Sequence, residues 1–229
     1  MLDASNDFFI RTSDTEHERQ VQEVLQRVHD NGHVYKGLYE GWYCPRCADF
    51  KSENEIAEGN TCPIHRIPLD REHEENWFFR LSRYEQRLLD WYESHPDAVV
   101  PATRRNEVLG FIRQGLQDIS ISRSSIKWGI PVPGDPEHVI YVWFDALINY
   151  ITGTGYGTDD QRFQRYWPAD MHIVGKDILK FHTLLWPAMC KSAGIEPPRH
   201  VFGHGFVSPR ASAASPADGP GEPVTDRDM

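Results

Sequence analysis

The sequence predicts an α/β fold with a parallel sheet and one small metal-binding segment, and three observations lead to this prediction. Residues 139–144, VIYVWF, form an unbroken apolar run of strand length, which is typical of a strand buried on both faces. Residues 171–207 have the pattern strand, tight turn, helix and strand, a βαβ unit that requires parallel strands. Two cysteine-containing turns between residues 44 and 65 indicate a segment that is organised by a metal ion.

The residues before the first cysteine predict one amphipathic helix between strands. FFIR at residues 8–11 has the composition of a short strand, and Ser13 stands three residues before Glu16, the spacing of a capping box at a helix start. The apolar residues that follow recur at helical spacing, and Asn-Gly at 31–32 ends the pattern. Residues 34–43, VYKGLYEGWY, alternate and contain glycines, which predicts a bent pair of strands.

The remaining pattern predicts further strands and helices. Between the cysteines and residue 139 these are a strand at 76–81, helices at 82–93 and about 104–115, and a strand at 119–123. After it come the strand 139–144, a helix from Asp145 to the glycines at 153–157, a buried strand at 171–174, a helix over about 178–192 and a strand at 200–207. Pro187 is expected to distort the last helix and Gly194 to end it. The tail 208–229 is rich in proline and small polar residues, which predicts disorder.

Composition excludes several classes of protein. The 229 residues carry a formal net charge of −10, which argues against a protein that coats nucleic acid nonspecifically. No run of 18 apolar residues exists, and the first residues lack the basic and apolar parts of a signal peptide. Three of the four cysteines cluster while Cys190 stands alone, which is not a disulfide framework. Together these features predict a cytoplasmic protein that does not span a membrane.

The most specific chemical motif is a pair of short turns that we call the two knuckles. Cys44-x-x-Cys47 and Cys62-x-x-His65 each offer two ligands of the kind that zinc takes in a tetrahedral site. Four protein ligands leave no open position for water, so the predicted zinc ion has a structural role. One alternative is unligated core cysteines beside a surface histidine. Another is a zinc ribbon that contacts nucleic acid, which the net acidic sequence between the knuckles disfavours.

The turn after the strand at 171–174 is a candidate nucleotide site. Gly175 lies where a strand ends and a helix begins, the edge at which open α/β sheets bind ligands. Asp177 either caps that helix or accepts hydrogen bonds from ribose hydroxyls, while a phosphate beside it is disfavoured by like charge. His204, between two glycines, is either a turn residue or a nucleotide contact.

Two helix faces form a candidate slot for an apolar side chain. Trp143, Ala146 and Tyr150 share one face if their helix begins near Trp143, and a small residue between two aromatic rings would fit a thioether. Ile178 and His182 are four residues apart and share a face of the following helix. Plain core packing explains the same spacing, and spacing alone favours it.

Four segments agree in order with one known family: FFIRTSDTEHERQVQEVLQRVHDNGHVYKGLYEGWYC, ENWFFRLSRYEQ, VIYVWFDALINYITGTG and HIVGKDILKFHTLLWPAM. Over about residues 5–207 the chain resembles the methionyl-tRNA synthetases, which are class I aminoacyl-tRNA synthetases. The resemblance implies a Rossmann-like catalytic domain divided by a connective-peptide insertion that carries one zinc knuckle site. The short insertion fits, because relatives for leucine, isoleucine and valine carry a large editing domain for which residues before 139 leave no room.

The resemblance also implies roles for the candidate residues. It implies methionine contacts at Trp143, Ala146, Tyr150, Ile178 and His182, ATP contacts at Gly175, Asp177 and His204, and a catalytic arginine, Arg123, near the reacting groups. The implied substrates are methionine, ATP with Mg²⁺, and tRNA. The methionine carboxylate attacks the α-phosphorus of ATP, methionyl-adenylate and pyrophosphate form, and the methionyl group then passes to tRNA. Leu147 stands where the family commonly has proline.

The resemblance divides the chain into four parts. Residues 1–33 are part of the catalytic Rossmann domain, and residues 34–118 are the connective peptide with its knuckles at 44–65. Residues 119–207 are the second half of the catalytic domain, and residues 208–229 are the disordered tail.

The sequence contains no HIGH-type or KMSKS-type motif and no anticodon-binding helical domain. We therefore expect a truncated fragment with little activity alone. The alternatives are a non-catalytic zinc-bearing binding module derived from such a synthetase, and a cysteine-specific class I relative, which the aromatic slot disfavours.

Overall fold

The computed structural model describes residues 5–47, 49–51 and 55–206, which fall into two compact units. The first unit is the described part of Met1–Arg80 together with Asp118–Gly153. The second is the described part of Leu81–Gln117 together with Thr154–Met229. These units follow spatial contacts, whereas the four-part division above follows the family resemblance and stays a prediction. The expected tail at 208–229 lies outside the described residues.

The helices of the described residues are α1 (Thr15–Asp30), α2 (Glu85–Ser94), α3 (Ala102–Arg113), α4 (Val142–Thr154), α5 (Asp160–Tyr166) and α6 (Trp186–Ser192), with 3₁₀ turns at Leu81–Tyr84 and Lys176–Ile178 and a π-helical turn at Phe181–Leu185. Of these helices, none is both long enough and apolar enough to cross a membrane. The predicted positions of α1 to α3 agree with the structure within a few residues.

The strands of the described residues are β1 (Val34–Cys44), β2 (Asp49–Lys51), β3 (Asp70–Phe79), β4 (Val99–Val100), β5 (Ile119–Ser120), β6 (Ser122–Arg123), β7 (Pro131–Val132), β8 (Asp135–Ile140), β9 (Met171–Gly175) and β10 (His200–His204). They form an antiparallel sheet of order β2-β1-β3-β5, an antiparallel sheet of order β6-β8-β7 and a parallel sheet of order β4-β10-β9. The α/β class and the parallel sheet are therefore confirmed.

Helix α1 forms where its apolar spacing predicts, but it begins differently. The apolar residues of its inward face, Val21, Val24, Leu25 and Val28, are all buried, together with the polar His17 and Gln20. The N-cap is Asp14, which makes no side-chain cap hydrogen bond, and the Glu16 carboxylate instead pairs with Arg19 at 2.6 Å. The predicted capping box is therefore wrong, because an ion pair one turn along the helix occupies the glutamate. The predicted strand at 8–11 is also absent from the described residues.

The long antiparallel ladder of β1 and β3 defines the first unit. Its register runs from Val34 opposite Phe79 to Tyr43 opposite Asp70, so β1 is one strand and not the predicted bent pair. The partner strand follows the metal segment and is too distant in sequence for an alternating pattern to reveal it. Gly37 permits the close fit, since a Cβ at this position would lie 3.3 Å from the ring of Phe78.

The apolar run VIYVWF does not form one strand. Strand β8 ends at Ile140, and α4 begins at Val142, so Trp143 and Phe144 lie in a helix. Strand β8 pairs antiparallel with β6 and β7, and the predicted strand 119–123 is divided between two sheets at Ile121. The prediction of one strand over residues 139–144 is wrong because a buried helical turn and a buried strand share the same apolar composition.

The second unit contains the predicted βαβ unit. Strands β9 and β10 pair in parallel over their whole length, from Met171 opposite His200 to Gly175 opposite His204. Only alternate residues of β9 point inward, so the strand that was predicted to be buried is buried on one face. The predicted helix 178–192 is divided into a 3₁₀ turn, a π-helical turn and α6. Pro187 lies in the first turn of α6, where a missing N–H donor is tolerated.

Helix α2 is attached to the π-helical turn by a buried hydrogen bond. Tyr92 is almost fully buried, and its hydroxyl donates to the Thr183 carbonyl at 2.6 Å. Burial raises the pKa of Tyr92 well above its ordinary range, so the phenol stays protonated.

We expect Tyr92→Phe to lower the free energy of unfolding by about 1–2 kcal/mol, because the substitution removes a buried donor and leaves its acceptor in place. Urea unfolding followed by circular dichroism measures this change. Tyr166→Phe, at a half-exposed tyrosine, is the matched control and should change stability little. Equal effects of both substitutions would contradict the role given to the Tyr92 hydroxyl.

Candidate functional site

The two knuckles bring their four predicted ligands together in the first unit. Cys44 ends β1, Cys47 lies in the turn after it, and Cys62 and His65 lie on a second turn. The four ligand atoms lie within 4.8 Å of one another, and the Cys47 and Cys62 sulfurs are 3.6 Å apart. His65 Nδ1 lies between 3.2 and 3.8 Å from all three sulfurs. These separations approach the ~3.5–3.8 Å edges of a tetrahedron with zinc at its centre.

Backbone amides orient the sulfurs of the knuckles. The N–H of Cys47 donates to Cys44 Sγ and the N–H of His65 donates to Cys62 Sγ, both at 3.4 Å. Burial acts to raise the pKa of the Cys62 thiol, but amide donation from His65 and Ile64 prevails and holds this pKa at about 6. The cluster therefore provides soft ligands, one of them predisposed to the thiolate form that binds metals.

Helix α4 has a buried core side and a partly exposed side, which we call its half-open or aromatic face. Its core side is buried and comprises Phe144, Leu147, Ile148, Ile151 and Thr152. Trp143, Ala146 and Tyr150 share the other side, and each is only partly buried. Plain core packing predicts burial of these three side chains like that of the core side, whereas the structure leaves each of them partly exposed. Leu147 belongs to the core side.

Arg123 is a buried cation at the end of β6. Its guanidinium donates to the Ser122 carbonyl at 2.7 Å and to Ser120 Oγ at 3.0 Å. The same group lies over the ring of Tyr141, 4.3 Å from the ring centroid, and 5.6 Å from that of Tyr43. Such contacts hold the positive charge in one orientation within the first unit.

In the second unit, the parallel sheet brings together the three predicted nucleotide residues. Gly175 and His204 are paired at the carboxyl ends of β9 and β10. A Cβ on Gly175 would lie 2.5 Å from Asp177 Oδ1 and 3.9 Å from His204 Cε1, so a larger residue would require the Asp177 carboxylate to move. Asp177 lies inside the 3₁₀ turn and not at its cap, and its side chain is exposed. The capping alternative for Asp177 is therefore wrong.

His182 lies in the π-helical turn and is nearly completely buried. Its Nδ1–H donates to the Ile178 carbonyl at 3.0 Å, which leaves Nε2 as an acceptor in the neutral ring. Burial lowers the pKa of His182, so the imidazole is neutral at pH 7. Ile178 lies in the preceding 3₁₀ turn, so the two residues are not on one regular helix as predicted, and the hydrogen bond joins the His182 side chain to the Ile178 backbone.

His172, which the sequence analysis did not single out, lies next to His182. The two rings are 6.2 Å apart in an edge-on arrangement, and burial together with the charge of His182 lowers the pKa of His172 to about 3. The only signal in the sequence is the alternation of β9, which places His172 and Val174 on its inward face.

The chain matches the family model of class I tRNA synthetases (M) over residues 1–72 and 66–219. It is 52% identical over 207 residues to the methionine–tRNA ligase of Caldanaerobacter subterraneus subsp. tengcongensis, covering 90% of this chain and 32% of that protein. It is 50% identical over 210 residues to the methionine–tRNA ligase of Thermotoga maritima, covering 90% and 33%. The chain therefore spans about a third of the length of these curated relatives.

The chain is also similar to solved structures of a methionyl-tRNA synthetase. The structure of Mycobacterium tuberculosis methionyl-tRNA synthetase bound by methionyl-adenylate is 45% identical with a TM-score of 0.88, covering 94% of this chain and 44% of that one. The apo form of the M. tuberculosis enzyme is 46% identical with a TM-score of 0.83, covering 90% and 42%.

The buried His172 gives the folded chain a defined response to acid. The unfolded chain takes up a proton at this histidine near the ordinary histidine pKa of 6.5, whereas the folded chain does so only near 3. Stability should therefore be lost as the pH falls below about 6.5. We expect His172→Gln to flatten the decline in unfolding free energy between pH 7 and pH 5, measured by urea unfolding at each pH. His29→Gln, at an exposed histidine, is the control. An unchanged slope in the His172 variant would contradict the role of burial.

Proposed function

The chain belongs to the class I tRNA synthetases (M), and from this premise we propose that it carries the methionine-binding part of a methionine–tRNA ligase. The proposed reaction is the ATP-dependent activation of methionine to methionyl-adenylate, followed by transfer of the methionyl group to tRNA. The observation that carries the proposal is the half-open aromatic face of α4, formed by Trp143, Ala146 and Tyr150. Its residues keep the predicted spacing and are set apart from the core side of the helix.

The proposed methionine contacts follow from the chemistry of each side chain. Between the rings of Trp143 and Tyr150, Ala146 supplies the small residue over which an unbranched thioether would lie. Sulfur is polarizable and makes favourable contacts with the edges of aromatic rings. For Ile178 and His182, in the second unit, we keep the methionine contact that the family resemblance implies, because an uncharged imidazole does not favour a charged amino acid side chain.

For ATP we propose Gly175, Asp177 and His204. The bare Gly175 backbone permits close approach of a ligand, and the exposed Asp177 carboxylate accepts hydrogen bonds from ribose hydroxyls. His204 donates through Nδ1 to the Gly205 carbonyl at 2.7 Å, which leaves its Nε2 as an acceptor in the neutral ring. ATP would enter as its Mg²⁺ complex, which is part of the substrate.

We assign Arg123 a catalytic role. Attack of the methionine carboxylate on the α-phosphorus develops negative charge there and on the departing pyrophosphate. A cation that is already oriented stabilises such charge without reorganising during the reaction. Two tyrosine rings and two serine contacts orient the Arg123 guanidinium in the first unit.

For the two knuckles we propose one structural Zn²⁺ held by Cys44, Cys47, Cys62 and His65. When bound, the ion would join the two turns and fix the end of β1. The soft donor set and its near-tetrahedral spacing support zinc over Mg²⁺ or Ca²⁺, which prefer oxygen ligands. None of the chain's four cysteines, all of which the structure describes, forms a disulfide bond, which fits the reducing cytoplasm that we propose as its location.

We expect the purified chain to contain about one equivalent of zinc, and Cys62→Ser to lose most of it because a serine hydroxyl is a poor zinc ligand. Metal analysis by plasma mass spectrometry gives the content of both proteins. Cys190→Ala is the matched control, since Cys190 is a buried cysteine outside the cluster. A metal-free chain, or equal zinc in the two variants, would refute the assignment.

We expect the chain to bind L-methionine more tightly than L-cysteine, and Trp143→Ala to weaken methionine binding by at least about tenfold through loss of a ring contact. Isothermal titration calorimetry measures both affinities. Trp128→Ala serves as the control, because Trp128 is 85% exposed. The proposal fails if the folded chain binds no methionine, or if removal of Trp143 has no more effect than removal of Trp128. Preference for cysteine would instead favour a cysteine-specific relative.

A further inference from the structure

A buried histidine bridges two turns of α4 from the side of α1. His17 has no exposed surface, and its Nε2–H donates to Asp145 Oδ1 at 2.6 Å. On the other side of the ring, Nδ1 lies 3.1 Å from Thr152 Oγ1. Asp145 and Thr152 are seven residues apart, so they lie two turns apart on one face of the helix. A single side chain therefore fixes both the position of α4 along its axis and its rotation about that axis.

The bridged face lies opposite the aromatic face. Each residue turns an α-helix by about 100°, so Asp145 points about 200° away from Trp143. Thr152 points in nearly the same direction as Asp145, whereas Ala146 and Tyr150 lie within about 60° of Trp143. Helix α4 is thus held from behind by His17 while its front presents the residues proposed to contact methionine.

The hydrogen-bonding chemistry makes the bridge strong. The Asp145 side chain is 20% exposed, and a bond to a carboxylate that is largely shielded from water is stronger than a neutral one. Thr152 Oγ1 also lies 3.2 Å from the Ile148 carbonyl, to which its single proton can be donated. The hydroxyl then accepts from a protonated Nδ1, and otherwise it donates to a bare Nδ1. Both ring nitrogens of His17 therefore have a hydrogen-bond partner on α4.

We propose that His17 is a positioning residue for methionine binding, acting through Asp145 and Thr152 on the angle at which α4 presents Trp143, Ala146 and Tyr150. This role rests on the proposed function, because methionine affinity is one of the two signals that test it. It differs from a merely structural role, which would change the stability of the chain but not the affinity of its folded form. Small misplacements of contact groups are enough to reduce binding and catalysis strongly.

The test compares His17→Leu with His17→Gln and with Val28→Ala, all in the full chain. His17→Leu removes both contacts, His17→Gln keeps a donor for Asp145, and Val28→Ala creates a cavity at a fully buried site three turns further along α1. The measurements are methionine affinity by calorimetry and unfolding free energy by urea. A second signal is the ¹⁹F resonance of Trp143 in protein labelled with 5-fluorotryptophan, assigned with Trp143→Phe.

We expect His17→Leu to weaken methionine binding by at least about tenfold and to shift the Trp143 resonance, because the aromatic face turns with the helix. His17→Gln should restore most of the affinity. Val28→Ala should lower stability without changing either the affinity or the resonance. If His17→Leu does not fold, Thr152→Val decides, since it removes one contact with little change of shape and should alter both signals in the same direction.

The inference is overturned if folded His17→Leu, or Thr152→Val in its place, binds methionine like the unmodified chain and leaves the Trp143 resonance unchanged. It is equally overturned if Val28→Ala reproduces both effects, since the role would then be structural. If the unmodified chain binds no methionine while the Trp143 resonance still responds to His17→Leu alone, the proposed function fails and the positioning of α4 by His17 stands.

Discussion

The division of helix α4 into a buried side and a half-open side is the constraint on which the account depends. A helix that packed on all sides would expose nothing to a ligand, and one without a buried side would have no fixed orientation. Phe144, Leu147 and Ile148 supply the buried side, and the bridge from His17 sets the rotation. The rings of Trp143 and Tyr150 on the partly exposed side then have a defined geometry, as the proposed recognition of a small apolar side chain requires.

In the second unit, the pairing of two parallel strands positions the residues proposed to contact ATP. The register of β9 and β10 places Gly175 beside His204, and the Asp177 carboxylate lies close against the Gly175 backbone. Behind this edge, burial keeps His172 and His182 neutral. The unit therefore combines the exposed carboxylate of Asp177 with two uncharged buried histidines. This arrangement suits the proposed contact of Asp177 with ribose hydroxyls and of His182 with an uncharged substrate.

Short-range patterns in the sequence carried most of the successful predictions. The helical spacing of Val21 to Val28 located α1, and the spacing of the two knuckles identified a cluster whose ligand atoms converge. Such features depend on residues only a few positions apart, for which backbone geometry fixes the outcome. The comparisons confirm the family, and the residue roles that no local pattern indicates stay proposals that rest on the resemblance.

Features that depend on residues far apart in the chain could not be predicted from the sequence. The pairing of β1 with β3 crosses the metal segment, and the boundary between β8 and α4 lies within an apolar run that suits either structure. His17 looked like an ordinary polar position in the first turn of a helix, because its partner Asp145 lies 128 residues further along the chain. His172 was hidden in the same way, since only the fold brings its ring against His182.

The most direct measurement is a crystal structure of the chain grown with L-methionine. The account predicts electron density for the thioether over Ala146, with the rings of Trp143 and Tyr150 on either side of it and His17 still bonded to Asp145 behind the helix. Methionine bound away from α4, or rings turned from a common hollow, would contradict it.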